Sequence, residues 1–200
     1  MRLRTVNNLL LLAILLVNGY VILAPVVPGV LFGMQNHGGT RQQALQAKAT
    51  TKPSQPKAPA ASAAYQPNEV VIPSMLLDQP VLEGPQKDMY KILDKGIWHW
   101  PLSSTPDKGG NTVLLGHRFT YTNPRGVLYF LNKVAVGDTI GLTWSRAQYV
   151  YKVTQVRTVP PTDTSAVAQT TEPTLTIYTC TPLWRPHDRL VVTAELEQKL

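Results

Sequence analysis

Cysteine is nearly absent from this chain: Cys180 is the only one among 200 residues. A single cysteine cannot form an intramolecular disulfide, so an apolar core must hold the folded part together. Such a residue is either a small buried side chain or a nucleophile that reacts as its thiolate. The residue by itself leaves both roles open.

Acidic residues are absent from the first third of the chain. Residues 1–68 carry six basic and no acidic side chains, whereas residues 69–200 carry thirteen basic and twelve acidic ones. The formal net charge of +7 therefore lies almost entirely outside the second part of the chain. A nucleic-acid binder would carry its positive charge on the folded domain, so we exclude nucleic acid as a partner.

Long apolar runs are also scarce, with one exception at residues 9–32. This length suffices to cross a bilayer, and the preceding Arg2 and Arg4 favour a cytoplasmic N-terminus for residues 1–8. A cleaved signal peptide is the alternative. Ala24 is the best candidate for its cleavage site, but Pro25 follows it and hinders cleavage. The sequence thus predicts a single-pass transmembrane anchor in the cell membrane, with the rest of the chain extracellular.

Residues 33–68 lack large apolar side chains and contain several prolines, which predicts a disordered Pro/Ala-rich stalk. From residue 69 onwards, short apolar and alternating segments recur between turn residues. We predict strands at 70–72, 80–84, 112–115, 139–144, 147–159, 175–179 and 190–196, with a short helix at 88–93. This pattern predicts a mainly all-β domain over residues 69–200, with seven or eight strands in a closed or nearly closed β-barrel.

Three residues near strand ends form a candidate catalytic set. Cys180 ends one predicted strand, His117 follows Gly116 after another, and Arg189 opens the last one. A histidine can exchange protons beside a thiolate, and a guanidinium can stabilise an oxyanion. The alternative roles are a buried thiol, a loop histidine and a solvated arginine. Among the other histidines, His37 lies near the membrane end of the stalk and His99, between two tryptophans, is expected to be structural. His187 and Arg185 remain competitors for a role in the site.

The segments around these residues resemble the sortase family. The matching motifs are Leu114-Leu115-Gly116-His117, the Thr174–Cys180 strand and Arg189-Leu190-Val191-Val192, in the order His, Cys, Arg, with 63 residues between His117 and Cys180. The resemblance covers about residues 69–197. It implies an eight-stranded barrel with short helices, preceded by one transmembrane helix.

The resemblance also implies a membrane-anchored cysteine transpeptidase without a cofactor or metal site. Cys180 would cleave an LPXTG-like C-terminal sorting signal of a secreted protein and form a thioacyl intermediate. His117 would transfer protons, Arg189 would hold the signal and the oxyanion, and Thr179 and Thr181 would contact substrate. The acceptor would be an amine of a cell-wall precursor or a pilin lysine.

The sortase class is less determined by the sequence. Cys180-Thr181-Pro182 is similar to the class C pattern, which some class D, E and F enzymes share. No second apolar run and no lid motif are present, which favours a housekeeping-type enzyme with one anchor. A membrane-anchored barrel that binds peptides without cleaving them is the alternative function.

Overall fold

The computed structural model describes residues 2–23, 26–35, 39–53, 68–120, 125–183 and 185–200. It divides into two compact units, residues 1–41 and 42–200. The predicted boundaries of anchor, stalk and catalytic domain stay predictions, and much of the predicted stalk and the residue His37 lie outside the described residues.

Two helices form most of the first unit. Helix α1 spans Arg2–Leu23 and helix α2 spans Val27–Gln35. Within α1, the 20 residues Arg4–Leu23 have a mean hydropathy of 2.1. A helix of that length and composition is compatible with a single-pass membrane anchor.

Within the described residues, the second unit holds eight strands and one α-helix of its own. The strands are β1 (Glu69–Ile72), β2 (Leu77–Leu82), β3 (Ile97–His99), β4 (Asn111–Leu115), β5 (Thr139–Trp144), β6 (Ala147–Val159), β7 (Thr174–Thr181) and β8 (Asp188–Lys199). Helix α3 (Thr40–Thr50) crosses the boundary of the units, and helix α4 (Met89–Leu93) connects β2 to β3.

The strands close into a barrel in the order β1-β2-β3-β4-β7-β8-β6-β5. Two neighbouring pairs are parallel, β2 with β3 and β4 with β7, and the other pairs are antiparallel. The predicted eight-stranded barrel is therefore confirmed. The parallel pair β4–β7 requires a crossover, which is long enough here to contain both β5 and β6.

Alternation along the strands separates the barrel interior from its outer face. Leu175 and Ile177 of β7 and Leu190 and Val192 of β8 belong to the main apolar core. The residues between them belong to the opposite face, where Val191 packs with residues of a second apolar cluster. Cys180 and Arg189 share the parity of this outer face.

The last two strands are longer than predicted. We expected β7 to end at residue 179 and to present Cys180 at its exit, whereas it continues through Thr181. Likewise β8 begins at Asp188, so Arg189 is already a strand residue. Pairing between the two strands explains the difference, because Thr181 and Asp188 are still partners in the ladder.

Helix α3 packs against the barrel from Gln42 onwards, within the range that we predicted as stalk. Ala49 is fully buried, and its carbonyl oxygen accepts a hydrogen bond of 2.7 Å from the side-chain amide of Gln148. Lys48 forms ion pairs with Glu69 at 2.9 Å and Asp78 at 2.8 Å. An Ala-rich segment has high helix propensity, and these contacts attach it to β1, β2 and β6.

Candidate active site

Cys180 and Arg189 are directly paired residues of the antiparallel strands β7 and β8. Side chains at such positions have Cβ atoms about 4.5–5.5 Å apart on one face of the sheet. Both residues are partly exposed. Arg189 uses one terminal N–H group to bond the carbonyl oxygen of Asp188 at 3.0 Å. The sheet register therefore places the thiol and the guanidinium side by side on the outer face.

His117 lies on the other side of Cys180. The parallel ladder of β4 and β7 ends with Leu115 opposite Tyr178, and the same register places His117 opposite Cys180. Two side-chain hydrogen bonds preserve that register beyond the strand end. The Thr179 hydroxyl donates to the Gly116 carbonyl at 2.7 Å, and the Arg118 guanidinium donates to Thr181 Oγ1 at 2.5 Å.

The backbone at His117 is bonded to residues 126–128, which follow the loop after β4. The Leu128 amide donates to the His117 carbonyl at 3.0 Å, and the Gly126 amide donates to the Arg118 carbonyl at 3.1 Å. A Cβ atom on Gly126 would lie closer than 3.0 Å to the carbonyl group of His117. This close approach requires glycine at position 126.

The imidazole of His117 faces a cavity of about 440 Å³, which Gln79, Asp94 and Arg125 also line. The Nε2 atom of His117 lies 3.6 Å from Oδ1 of Asp94, the residue after α4. The Asp94 side chain is 67% exposed, so this contact is that of a surface pair. The cavity gives small molecules access to the histidine from the side away from Cys180's partner strand β8.

A small buried apolar cluster lies on the outer face beside Cys180. Val159, Ala166 and Val191 are buried together, with Tyr178 packed against them. Ala166 belongs to the 3₁₀ helix Thr164–Val167 in the connection between β6 and β7. This connection therefore covers part of the outer face next to the cysteine.

Asn111 fastens that connection to the sheet. Its side-chain amide donates to the carbonyl oxygens of Ala166 at 3.3 Å and Ala168 at 2.9 Å, and its Oδ1 accepts from the Thr176 hydroxyl at 2.8 Å. The residue is buried. A buried amide with its donors and acceptor all bonded fixes its neighbours in one arrangement.

The competing residues lie in other surroundings. His99 is buried, bonded to the carbonyl of Ser104 at 3.0 Å and packed edge-on against Trp144, as a structural histidine would be. His187 is exposed, with Nδ1 bonded to the carbonyl of Arg185 at 3.0 Å and Nε2 at 3.4 Å from Asp188. Neither ring is in register with Cys180.

Sequence reasoning missed Arg118, Asn111 and Asp94. Arg118 directly follows the candidate histidine, which was the available signal, but its partner Thr181 is 63 residues away. The sequence around Asn111 is typical of a loop, although the residue begins β4, and nothing local indicates that its partners are 55 and 57 residues away. The part of the chain that the structure describes contains no group of three or more metal-ligating side chains.

The fold and the register thus combine a closed eight-stranded barrel with a cysteine, a histidine and an arginine in one row. The sortase-domain family model matches residues 70–197, and the chain belongs to the sortase family. It is 32% identical over 112 residues to sortase D of Bacillus subtilis, covering 56% of this chain and 52% of that protein. The chain thus matches about half the length of this relative.

The solved structures that resemble this chain are also sortases. A sortase D5 transpeptidase of Clostridium perfringens superposes with a TM-score of 0.57 at 29% identity, over 66% of this chain and 78% of that one. Sortase C of Streptococcus pneumoniae superposes with a TM-score of 0.57 at 28% identity, over 79% and 86%. The resemblance inferred from the three sequence motifs is therefore confirmed.

Proposed function

We propose that this chain is a membrane-anchored cysteine transpeptidase that acts on LPXTG-like C-terminal sorting signals of secreted proteins. The observation that carries the proposal is the row formed by His117, Cys180 and Arg189 across the end of β4, β7 and β8. A nucleophile, a proton-transfer group and an oxyanion donor are the three parts that acyl transfer through a thioester needs.

In the first step, the Cys180 thiolate attacks the carbonyl carbon of the Thr–Gly peptide bond. The carbonyl π electrons move to oxygen, and the Arg189 guanidinium stabilises the resulting oxyanion. Collapse of this intermediate breaks the C–N bond, and protonated His117 gives its proton to the leaving glycine amine. The product is a thioester between Cys180 Sγ and the threonine carbonyl carbon.

In the second step, a primary amine attacks the thioester carbon. His117 accepts the proton of the amine, a new amide bond forms, and Cys180 leaves as the thiolate. The amine would approach through the cavity beside His117 and Asp94. The sorting signal would then occupy the opposite side, beside Cys180 and Arg189. The acceptor is an amine of a cell-wall precursor or a pilin lysine, and the reaction requires no cofactor and no metal.

The buried cluster of Val159, Ala166 and Val191 fixes the β6–β7 connection and the partly exposed Tyr178 next to Cys180, where the apolar part of the signal would bind. Thr179 and Thr181 were predicted to contact substrate, and that role stays a prediction. Helix α1 would anchor the enzyme as a single-pass protein in the cell membrane, with the N-terminus cytoplasmic and the barrel extracellular, where secreted proteins pass.

Intact-mass spectrometry tests the proposal directly. The full chain in detergent micelles is mixed with an LPXTG peptide, in parallel with Cys180→Ala. We expect a mass gain equal to the acyl fragment, its absence in the alanine variant, and its discharge when an amine is added.

Two other outcomes would overturn the proposal. Peptide binding without an adduct, while the Cys180 thiol still reacts with iodoacetamide, would favour a peptide-binding barrel without catalysis. A thiol that resists alkylation in the folded protein would identify Cys180 as a core residue.

A further inference from the structure

Two hydrogen bonds join the chain around His117 to the strand around Cys180, one on each side of the pair. The Thr179 hydroxyl bonds the Gly116 carbonyl, and the Arg118 guanidinium bonds Thr181 Oγ1. Both bonds join positions 63 residues apart, the separation of His117 from Cys180. They replace the backbone ladder of β4 and β7, whose last pair is Leu115 with Tyr178.

Arg118 is an unusual residue to find in this position. Its side chain is buried, with the whole residue only 9% exposed, and burial lowers the pKa of its guanidinium. Among the carboxylates of the chain, all of which are described, none forms an ion pair with it. Burying a charge without a counter-ion costs free energy, so the bonds that it makes have to offset that cost.

Those bonds connect three segments. Besides Thr181, the Nε atom of Arg118 donates to the carbonyl oxygen of Tyr129 at 3.3 Å. Thr179 and Thr181 alternate with Cys180 along β7, so their side chains lie on the face opposite to the thiol, and Arg118 bonds Thr181 there. The bonds therefore leave the substrate side of the row unobstructed.

We propose that Arg118, together with the Thr179–Gly116 bond, is a positioning residue that holds His117 and Cys180 in register where backbone pairing has ended. The inference rests on the proposed function for its catalytic consequence. It also assigns the hydroxyls of Thr179 and Thr181 to the protein's own backbone and side chains. Proton transfer between the histidine and the departing amine is sensitive to a displacement of about 1 Å, which can cost about 100-fold in rate.

Kinetics of the full chain in micelles test this with Arg118→Met, Thr181→Val and the double variant. We expect kcat for peptide cleavage to fall about 10- to 100-fold in each single variant, with KM changed less than about twofold. The double variant should lose no more activity than Arg118→Met alone, because that change already removes the bond that Thr181→Val removes. Arg118→Lys should recover part of the rate, since an ammonium can reach Thr181 but lacks the second, fixed N–H group.

Arg146→Met and Thr154→Val are matched controls on β5–β6, where Thr154 is exposed and makes only a long hydrogen bond of 3.4 Å to Thr193. Both should keep the parent kcat. Losses that multiply in the double variant, or a rise in KM at constant kcat, would overturn the proposal. The second result would instead support the prediction that Thr181 contacts substrate. If Arg118→Met does not fold, the near-isosteric Thr181→Val alone decides, through its kcat and KM.

A second readout does not depend on catalysis. In His117→Cys, oxidation by copper phenanthroline should form a disulfide to Cys180, because the hydrogen bonds on both sides keep positions 117 and 180 opposite each other, within disulfide reach. Adding Thr181→Val should slow this reaction several-fold, whereas adding Thr154→Val should not. Unchanged trapping would overturn the positioning role even if the parent enzyme is active. Slowed trapping with an inactive parent would retain this role while the proposed function fails.

Discussion

Cys180 and Arg189 are cross-strand partners, nine residues apart in the chain and opposite each other in the β7–β8 ladder. The connection between them is short, and both residues lie within regular strands. Their relative position is therefore set by backbone hydrogen bonds and needs no flexible loop. A site built on strands keeps its geometry better than one built on loops.

Replacement of Arg189 should affect the chemical step more than substrate binding. Arg189→Lys keeps the charge but loses the planar fork of donors, so the oxyanion loses a fixed hydrogen bond. We expect kcat to fall about 100- to 1,000-fold with a smaller change in KM, measured by peptide cleavage under steady-state conditions.

Arg185→Ala and His187→Ala are the matched controls, because both residues are exposed in the same connection. They should retain the parent kcat, while His117→Ala should lose it. A loss in Arg185→Ala equal to that in Arg189→Lys would transfer the oxyanion role to Arg185.

Gly126 should be required for the position of His117. A methyl group at position 126 would overlap the carbonyl group of His117, which is backbone and not the end of a flexible side chain. We expect Gly126→Ala to reduce kcat about 10- to 100-fold through displacement of the imidazole. Gly84→Ala is the control, since its Cβ would meet only the end of the flexible Ile92 side chain. Equal kcat values in the two variants would contradict this account.

The barrel was predictable because most of its strands have a local signature, and the roles of His117, Cys180 and Arg189 stay predictions. Alternation over residues 139–144 and 147–159 and the apolar strand before Cys180 mark strands directly. The short strand β3, Ile97–His99, was not predicted, because its three residues, all buried, show no alternation. The predicted strands β7 and β8 were too short. Thr181 and Asp188 belong to them because the two residues pair with each other, and not because of their own strand propensity.

Residues that act through distant partners were beyond sequence reasoning. Asn111 is an ordinary turn former in the sequence, and only the fold brings it under Ala166 and Ala168. Helix α3 has a weakly apolar, polar-rich sequence that resembles a linker, yet Leu45 and Ala49 are buried. A segment with so few apolar side chains gives no signal of burial until its partner surface is known.

Asn111 should control how the β6–β7 connection covers the outer face. In Asn111→Asp, an ionised carboxylate cannot donate to the carbonyls of Ala166 and Ala168, and it faces them in a buried site. We expect KM for the peptide to rise about tenfold while kcat changes less, because binding beside Cys180 depends on the connection. The tenfold change corresponds to about 1.4 kcal/mol.

Asn68→Asp is the matched control for that experiment. Asn68 is also buried, but its Oδ1 accepts from the backbone amide of Ser145 at 3.1 Å, a bond that a carboxylate retains. This variant should keep the parent KM. A kcat loss in Asn111→Asp with unchanged KM would show that the connection does not contribute to substrate binding.

Helix α3 should be an integral part of the barrel domain rather than a passive linker. Burial lowers the pKa of Lys48, but its bonds to Asp78 and Glu69 outweigh that effect, so the pKa of Lys48 is raised. Because the pKa of Lys48 is higher in the folded than in the unfolded chain, the stabilisation by its ion pairs is complete below the unfolded pKa of about 10.4. It is lost as the pH rises through the pKa of the folded chain. At neutral pH the ion pairs therefore hold the helix, with about 0–1 kcal/mol from such partly exposed pairs.

Gly141→Ala tests this packing at its tightest point. A Cβ at position 141 would lie closer than 3.0 Å to the Cα and carbonyl oxygen of Ala49, so α3 would have to move away. Overpacking of this kind costs about 1–3 kcal/mol, and the melting temperature should fall accordingly. Trypsin should then cleave after Lys48 much faster than in the parent chain, as followed by mass spectrometry. Gly96→Ala, whose Cβ would make only an ordinary contact of 3.5 Å with Leu82, should melt and digest like the parent. Equal digestion of Gly141→Ala and the parent would mean that residues 42–50 leave the barrel readily even without the substitution.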